Sequence, residues 1–190
     1  MLHISLQVWA GVFYLLNKIF LSRKERTEGV VKRRWHIAAW IAYPIGLPAW
    51  VIIFISERNW IAAAVESGGA PAMLMGLIIA IRGKGKEPRW LDFVALVAIV
   101  GGFGFSLWDF GGLTVLNQWL ETGIVVGFLV GTYLLAKEIP SGYLWFMFMN
   151  VLTATLMFRE QYYWLAGQQI VSLGFVIDAY RIQRSRNQSS

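Results

Sequence analysis

Cysteine is absent from the 190 residues, which excludes disulfides, cysteine-ligated zinc and thiol chemistry and leaves the redox compartment open. Histidine is almost absent too. His3 and His36 are the only two and stand far apart, so a histidine-based metal site is not expected. Charge is scarce, at 15% of residues against roughly 25% in soluble domains. No phosphate-binding loop, HExxH or GxSxG pattern occurs. Gly83-Lys84-Gly85-Lys86 lacks the strand and spacing of such a loop and reads as a turn. No nucleophile, base and orienting group can be assembled, so neither an enzyme nor a bound cofactor is expected.

Apolar residues fill the space that charge leaves. They make up 57% of the chain, and the mean hydropathy is +0.54. The net charge of +6 and pI of 9.8 do not point to nucleic acid, because the basic residues sit in short joints between apolar segments. Seven such segments are expected, at about 2–21, 35–56, 60–81, 90–108, 113–136, 142–158 and 162–180. A spanning helix needs roughly 20 apolar residues, so seven of them leave no room for a soluble domain within this length. The segment Leu2 to Leu21 lacks a basic leader and is too long for a signal-peptide core, which makes it a retained first helix. The reading is therefore an all-α, multi-pass integral membrane protein.

The joints set an expected orientation. The joint 22–34 carries six Lys/Arg and the joint 82–89 four. Lys137 marks a third basic joint, and Arg181, Arg184 and Arg186 lie in the tail. The alternate joints hold only Arg58 and Arg159, and Trp108 to Gly112 holds none. The positive-inside rule then places the amino terminus outside and the carboxyl terminus in the cytoplasm. The segments also suggest two parallel three-helix bundles, 1–88 and 111–190, joined by a linking helix at 89–110. The outer turns Glu57-Arg58-Asn59 and Arg159-Glu160-Gln161 correspond in this plan, as do Trp60-Ile61-Ala62 and Trp164-Leu165-Ala166.

Polar groups inside a bilayer are costly and so are candidates for function. Asn17, His36, Glu66, Asp92, Asn117, Gln118, Glu121, Asn150, Gln168, Gln169 and Asp178 form the list. Asn150, Gln168 and Gln169 fall at similar depths of the last two segments. With Trp145, Tyr163, Trp164 and Trp60 they describe a pocket for a flat, neutral-to-cationic small molecule bearing hydroxyls, stacked by rings and held by amides. The plainer reading is that the amides bridge helices and the aromatics belong to the interfacial belt. Glu66 precedes Ser67-Gly68-Gly69-Ala70-Pro71, a run suited to a helix break, where it would attract a cation or carry a proton; otherwise it faces outer water. Asn117, Gln118 and Glu121 are expected near the outer end of the fifth segment. Asp92 and Asp178 are expected at the interface or paired with Arg89 and Arg181. Pro44 and Pro48, with Gly46 between them, should kink the second segment and could serve gating. Gly101, Gly102 and Gly104 are expected to allow close helix packing.

The stretch Trp145 to Arg181, about 37 residues, resembles the carboxyl-terminal part of the bacterial PnuC family of nicotinamide riboside and related vitamin transporters. Trp145, Asn150, Tyr163, and Gln168 with Gln169 hold the places of that family's Trp, Asn, aromatic and polar positions. The resemblance implies two parallel three-helix bundles with a linking helix, similar to the SWEET sugar transporters. It also implies facilitated diffusion of an uncharged or cationic vitamin precursor across a bacterial inner membrane, with trapping by a cytoplasmic kinase. Whether the chain forms a homo-oligomer is left open by the sequence. Pro44, Gly46 and Pro48 depart from the family, which tends to have an Asn-containing helix there, and the chain is shorter than typical members. The alternative from another class is a non-transporting membrane subunit that scaffolds or anchors a complex.

Overall fold

In the computed structural model, which describes residues 2–109 and 114–188, the chain is helical throughout. The elements are α1 Leu2–Arg26, α2 Gly29–Ser56, α3 Trp60–Gly68, α4 Ala70–Arg82, α5 Arg89–Asp109, α6 Leu116–Ala136, α7 Ser141–Arg159 and α8 Tyr163–Gln188. Five stretches are long and apolar enough to cross a membrane: Ile4–Arg26, Gly29–Ser56, Ala62–Arg82, Leu116–Ala136 and Ser141–Arg159. The joint expected at Trp108 to Gly112 and the boundary at 110/111 fall largely on residues 110–113, outside the described residues.

Apolar side chains cover the outside as well as the core, and a few polar ones are buried. Large apolar residues face outward, among them Val8, Val12, Phe93, Val97 and Val100, while Asn17, Lys18, Glu25, Thr132 and Asn150 are buried. An apolar perimeter around satisfied helical backbones is what lipid demands of a spanning protein. The interior is filled by Trp40, Tyr43, Met73, Met75, Tyr143 and Phe146.

Packing follows the chain. α1 lies on α2, α2 on α3 and α4, α6 on α7, and α7 on α8; α8 returns to α1, α4 touches α6, and α5 rests on α3, α4 and α6. Three of these relations exchange with three others when α1, α2 and α4 are swapped for α6, α7 and α8. Close approach within the second half uses glycine, and is tightest at Gly123, where a Cβ would sit 2.4 Å from Leu152 Cδ1. Gly127 and Gly131 lie one turn apart on α6, and a Cβ on Gly131 would sit 2.6 Å from Phe146 Cδ1, one on Gly127 2.9 Å from Met149 Cβ. The glycines expected to do this on α5 do so only in part. Gly102 faces Leu129, but Gly101 and Gly104 face open space, so two of the three lie on the perimeter.

Helix ends explain the short joints. Arg58, Glu138 and Gln161 take left-handed conformations, with φ of 59°, 56° and 64°. In each case the next N–H reaches back five residues at 2.8 Å, from Asn59 to Phe54, Ile139 to Leu134 and Tyr162 to Met157. These are Schellman ends, built without the usual glycine. They also correct the expected register: the turn equivalent to Glu57-Arg58-Asn59 is Glu160-Gln161-Tyr162, so Trp60 corresponds to Tyr163 rather than Trp164. The break after Glu66 is shallow, since Gly69 stays in the helical region at φ −72°, ψ −23° and α4 restarts at Ala70 with Pro71 in its first turn. α2 runs as one helix through Pro44 and Pro48. Near Pro48 the Ile45 carbonyl accepts from the Trp9 indole of α1 at 3.0 Å.

Candidate functional site

α1 carries the two polar residues that organise the interior. Asn17 donates its amide to the Ala39 carbonyl of α2 at 2.9 Å, which turns its oxygen toward Lys18; the ammonium donates to that oxygen at 3.0 Å. Lys18 is 3% exposed. Its Nζ lies 3.7 Å from the centre of the Phe146 ring and 4.4 Å from that of Tyr43. A cation placed against two rings is attracted by their quadrupoles, and the effect grows when water is excluded. Tyr43 in turn touches Thr132 of α6, oxygen to oxygen at 3.4 Å, and Tyr14 meets it edge-on at 4.8 Å. Gly46 lets Tyr14 approach α2, and Gly131 lets the Phe146 ring lie against α6. Lys18 is thus held among residues of α1, α2 and α7, with α6 behind the Tyr43 and Phe146 rings.

Asn150, fully buried, belongs to this cluster through Phe146. Its Nδ2 donates to the Phe146 carbonyl at 2.6 Å, and its Oδ1 has no partner. Gln168 does not join it. Its Nε2 donates to the Gly11 carbonyl of α1 at 2.8 Å, where the missing side chain of Gly11 makes room for the amide, and its Oε1 is left without a partner. The two amides therefore serve separate neighbours, with Gln169 half-buried beside Gln168.

The remaining expected site residues divide by depth. Glu66, half-buried, accepts a hydrogen bond from the Tyr14 hydroxyl and so faces the interior rather than outer water. Trp145 is half-buried and packs edge-on against Phe148. Trp60 and Tyr163 are exposed, with Tyr163 against Phe158, and neither is brought to the amides. Both stand at helix starts, Trp60 at that of α3 and Tyr163 at that of α8, where aromatic residues of membrane proteins form an interfacial belt. Asn117 bridges Glu160 at 2.7 Å and Arg159 at 3.0 Å, tying the start of α6 to the end of α7. Gln118 turns back to accept from the Thr114 and Val115 amides, at 2.9 and 3.1 Å, and so caps α6. Glu121 is half-buried one turn on. Pro44 is half-buried and Pro48 exposed, both on α2.

The basic joints meet in a second polar layer. Lys24 and Glu25 are 5% and 2% exposed. Lys24 lies 3.3 Å from Glu25 and 3.5 Å from Glu138, and the Tyr143 hydroxyl donates to Glu25 at 2.9 Å. His36 accepts from the Trp40 indole on Nε2 at 2.9 Å, which leaves its proton on Nδ1, 3.6 Å from Glu138. Asp178 pairs with Arg26 of α1 and accepts from Ser22. Asp92 accepts from Tyr133 at 2.8 Å and from Lys137 at 3.0 Å. Neither acid takes the arginine expected from its own helix, because a helix-facing partner sits closer than a residue three positions along the chain. Glu87 meets Lys137 at 3.0 Å. A hydrogen bond with its own backbone is the largest cause holding its carboxyl below the usual value; partial burial opposes this, and Lys137 adds to it.

Lys18 is a buried polar residue that the sequence alone does not single out. A lysine three residues before the expected end of a span ordinarily extends to the interface. α1 runs on to Arg26, which places Lys18 two turns inside its end. The available signal was its neighbour Asn17, already counted as an interior polar residue. A surface groove of about 440 Å³ begins one turn beyond Lys18, lined by Ser22, Arg23, Val171, Phe175 and Asp178. Val171 there is exposed, so the groove opens on the perimeter rather than into the cluster.

No family model matches the chain, and neither does any curated protein or solved structure. The likeness of Trp145–Arg181 to the PnuC family accordingly rests on the residues quoted for it.

Proposed function

We propose that this chain is a membrane carrier that moves a small, vitamin-like nucleoside of the nicotinamide riboside kind down its gradient. The observation that carries this reading is the enclosed polar cluster of Lys18, Asn17, Tyr43, Thr132 and Asn150. It is assembled from helices of both halves and keeps hydrogen-bonding capacity unused at Asn150. Polar and charged groups in spanning helices are retained where a substrate path needs them. α5 and α8, of 21 and 26 residues, complete seven spans in this scheme. Residues 1–88 and 111–190 are then parallel three-helix bundles and α5 the link, in keeping with the exchangeable packing of the two halves. The basic joints lie in the cytoplasm and the amino terminus outside. The buried layer of Lys24, Glu25, His36, Glu138 and Tyr143 closes the cytoplasmic end, and the prolines of α2 give the helix that must bend to open it.

A second reading is a non-transporting subunit that anchors a complex. It is favoured by the way Asn150 and Gln168 spend their amide donors on backbone carbonyls, as amides that merely fix helices would. Reconstitution in liposomes separates the two. Saturable exchange of a radiolabelled nucleoside, abolished by Asn150→Ala in a protein that still folds, is expected for the carrier. Absence of exchange for every ligand that raises the melting temperature, with a partner that always copurifies, would reject it.

A further inference from the structure

Resting on the carrier reading, we infer that the passenger bears an oxyanion, which Lys18 receives, together with an adjacent N–H or O–H donor, which Asn150 receives. The ammonium has three donors and uses one, toward Asn17. Among the described residues no carboxylate lies within ion-pair distance of it, although carboxylates are spent freely elsewhere: Glu66 on Tyr14, Glu25 on Lys24 and Tyr143, Asp178 on Arg26. Buried charges are ordinarily paired, because an isolated one is expensive to keep out of water. Phe146 and Tyr43 soften that cost on one side of the ammonium without neutralising it. One turn along α7 from Phe146, the Asn150 oxygen is an acceptor with nothing to accept. A donor against the Phe146 ring and an open acceptor one helical turn from that residue describe a ligand with the opposite pattern.

Charge sign is the discriminating property. A purely cationic passenger, the pyridinium of nicotinamide riboside itself included, would meet like charge in a medium of low dielectric, where repulsion is strong, whereas a carboxylate or phosphate would complete the missing pair; the inference therefore narrows the proposed nucleoside to its acidic or phosphorylated relatives. The recognition is then the reverse of what a cavity lined only by amides and rings would prefer. Glu66 accepts from the hydroxyl of Tyr14, the ring that meets Tyr43 edge-on, and is thereby spent on a partner other than Lys18.

The test compares matched probes on the full-length purified chain: nicotinate against nicotinamide, and nicotinate riboside against nicotinamide riboside. Nicotinamide mononucleotide supplies a phosphate in place of the carboxylate. Binding is read by thermal shift and by exchange in liposomes, for wild type, Lys18→Met and Lys18→Arg. The acids should bind about thirtyfold or more tighter than their amides, the size of effect expected when one partner of a buried charge pair is missing. Lys18→Met should erase the difference and Lys18→Arg should keep most of it. Preference for the mononucleotide over nicotinate riboside would assign the oxyanion to phosphate, and the converse to carboxylate. Equal or tighter binding of the amides to wild type, even if Lys18→Met does not fold, would overturn the inference and leave the carrier standing. Failure of every probe to bind or exchange would overturn both.

Discussion

Removing the hydroxyl of Tyr143 isolates the hydrogen bond that ties the start of α7 to the end of α1. Its oxygen donates to Glu25 at 2.9 Å, both residues are buried, and the ring would remain in place in Tyr143→Phe. A hydrogen bond to a charged acceptor is worth about 1.5–3 kcal/mol. Glu25 keeps Lys24 at 3.3 Å, so the loss should lie toward the lower part of that range. For a chain of this size each kcal/mol moves the melting temperature by about 2–4 °C, which gives a fall of about 3–8 °C. A double-mutant cycle with Glu25→Gln separates the bond from packing. The two effects should couple by about 1 kcal/mol or more, whereas independent sites add to within about 0.3–0.5 kcal/mol. Melting in detergent at one fixed scan rate, followed by intrinsic tryptophan fluorescence, measures both. Additive losses would refute the claim that this bond joins the two helices energetically.

The glycines should separate by position. Gly131→Leu drives a side chain into Phe146 and should cost about 1–3 kcal/mol through overpacking, while Gly101→Ala, facing open space, should gain about 0.5–1 kcal/mol of helix stability; denaturation of the two variants side by side checks the sign of each. The Glu87–Lys137 pair should give a pH dependence. Glu87 titrates below its ordinary value of 4.5 when folded, so its contribution is complete above that value and fades as pH falls through the lower, folded one. The stability advantage of wild type over Glu87→Gln, followed from pH 7 to pH 3, should therefore shrink only in acid; an advantage that instead grew below pH 4.5 would contradict the direction of the shift.

The all-helical, membrane character was legible in the sequence because its signal is collective: long apolar runs survive an error of several residues at either end, and five of the seven expected segments are long and apolar enough to cross a membrane, 90–108 and 162–180 not being among them. The outer turns were legible in the same way, although their register was not, since Schellman ends at Arg58 and Gln161 carry no glycine to mark them. The interior site was less legible. Asn150, Gln168 and Glu66 were found by the cost of polar groups in lipid, but that rule says nothing about which neighbour each one meets. Lys18 escaped because its depth depends on where α1 ends, and one extra turn and a half converts an interfacial lysine into a buried one. Trp60 and Tyr163 were candidates on residue type alone, and residue type does not distinguish a ring in a pocket from a ring at the membrane surface.

The position of Lys18 has an electrical consequence. On the carrier reading, with Lys18 protonated, a unit charge held inside a spanning α1 feels the transmembrane voltage, at about 2.3 kcal/mol per 100 mV for a complete crossing and proportionally less for a partial one. Any stroke that shifts α1 along the membrane normal with Lys18 unaccompanied would perform work against that field. A stroke in which a bound anion travels with it would perform none. Loaded and empty half-cycles would then respond differently to polarisation, and current recordings would tell them apart.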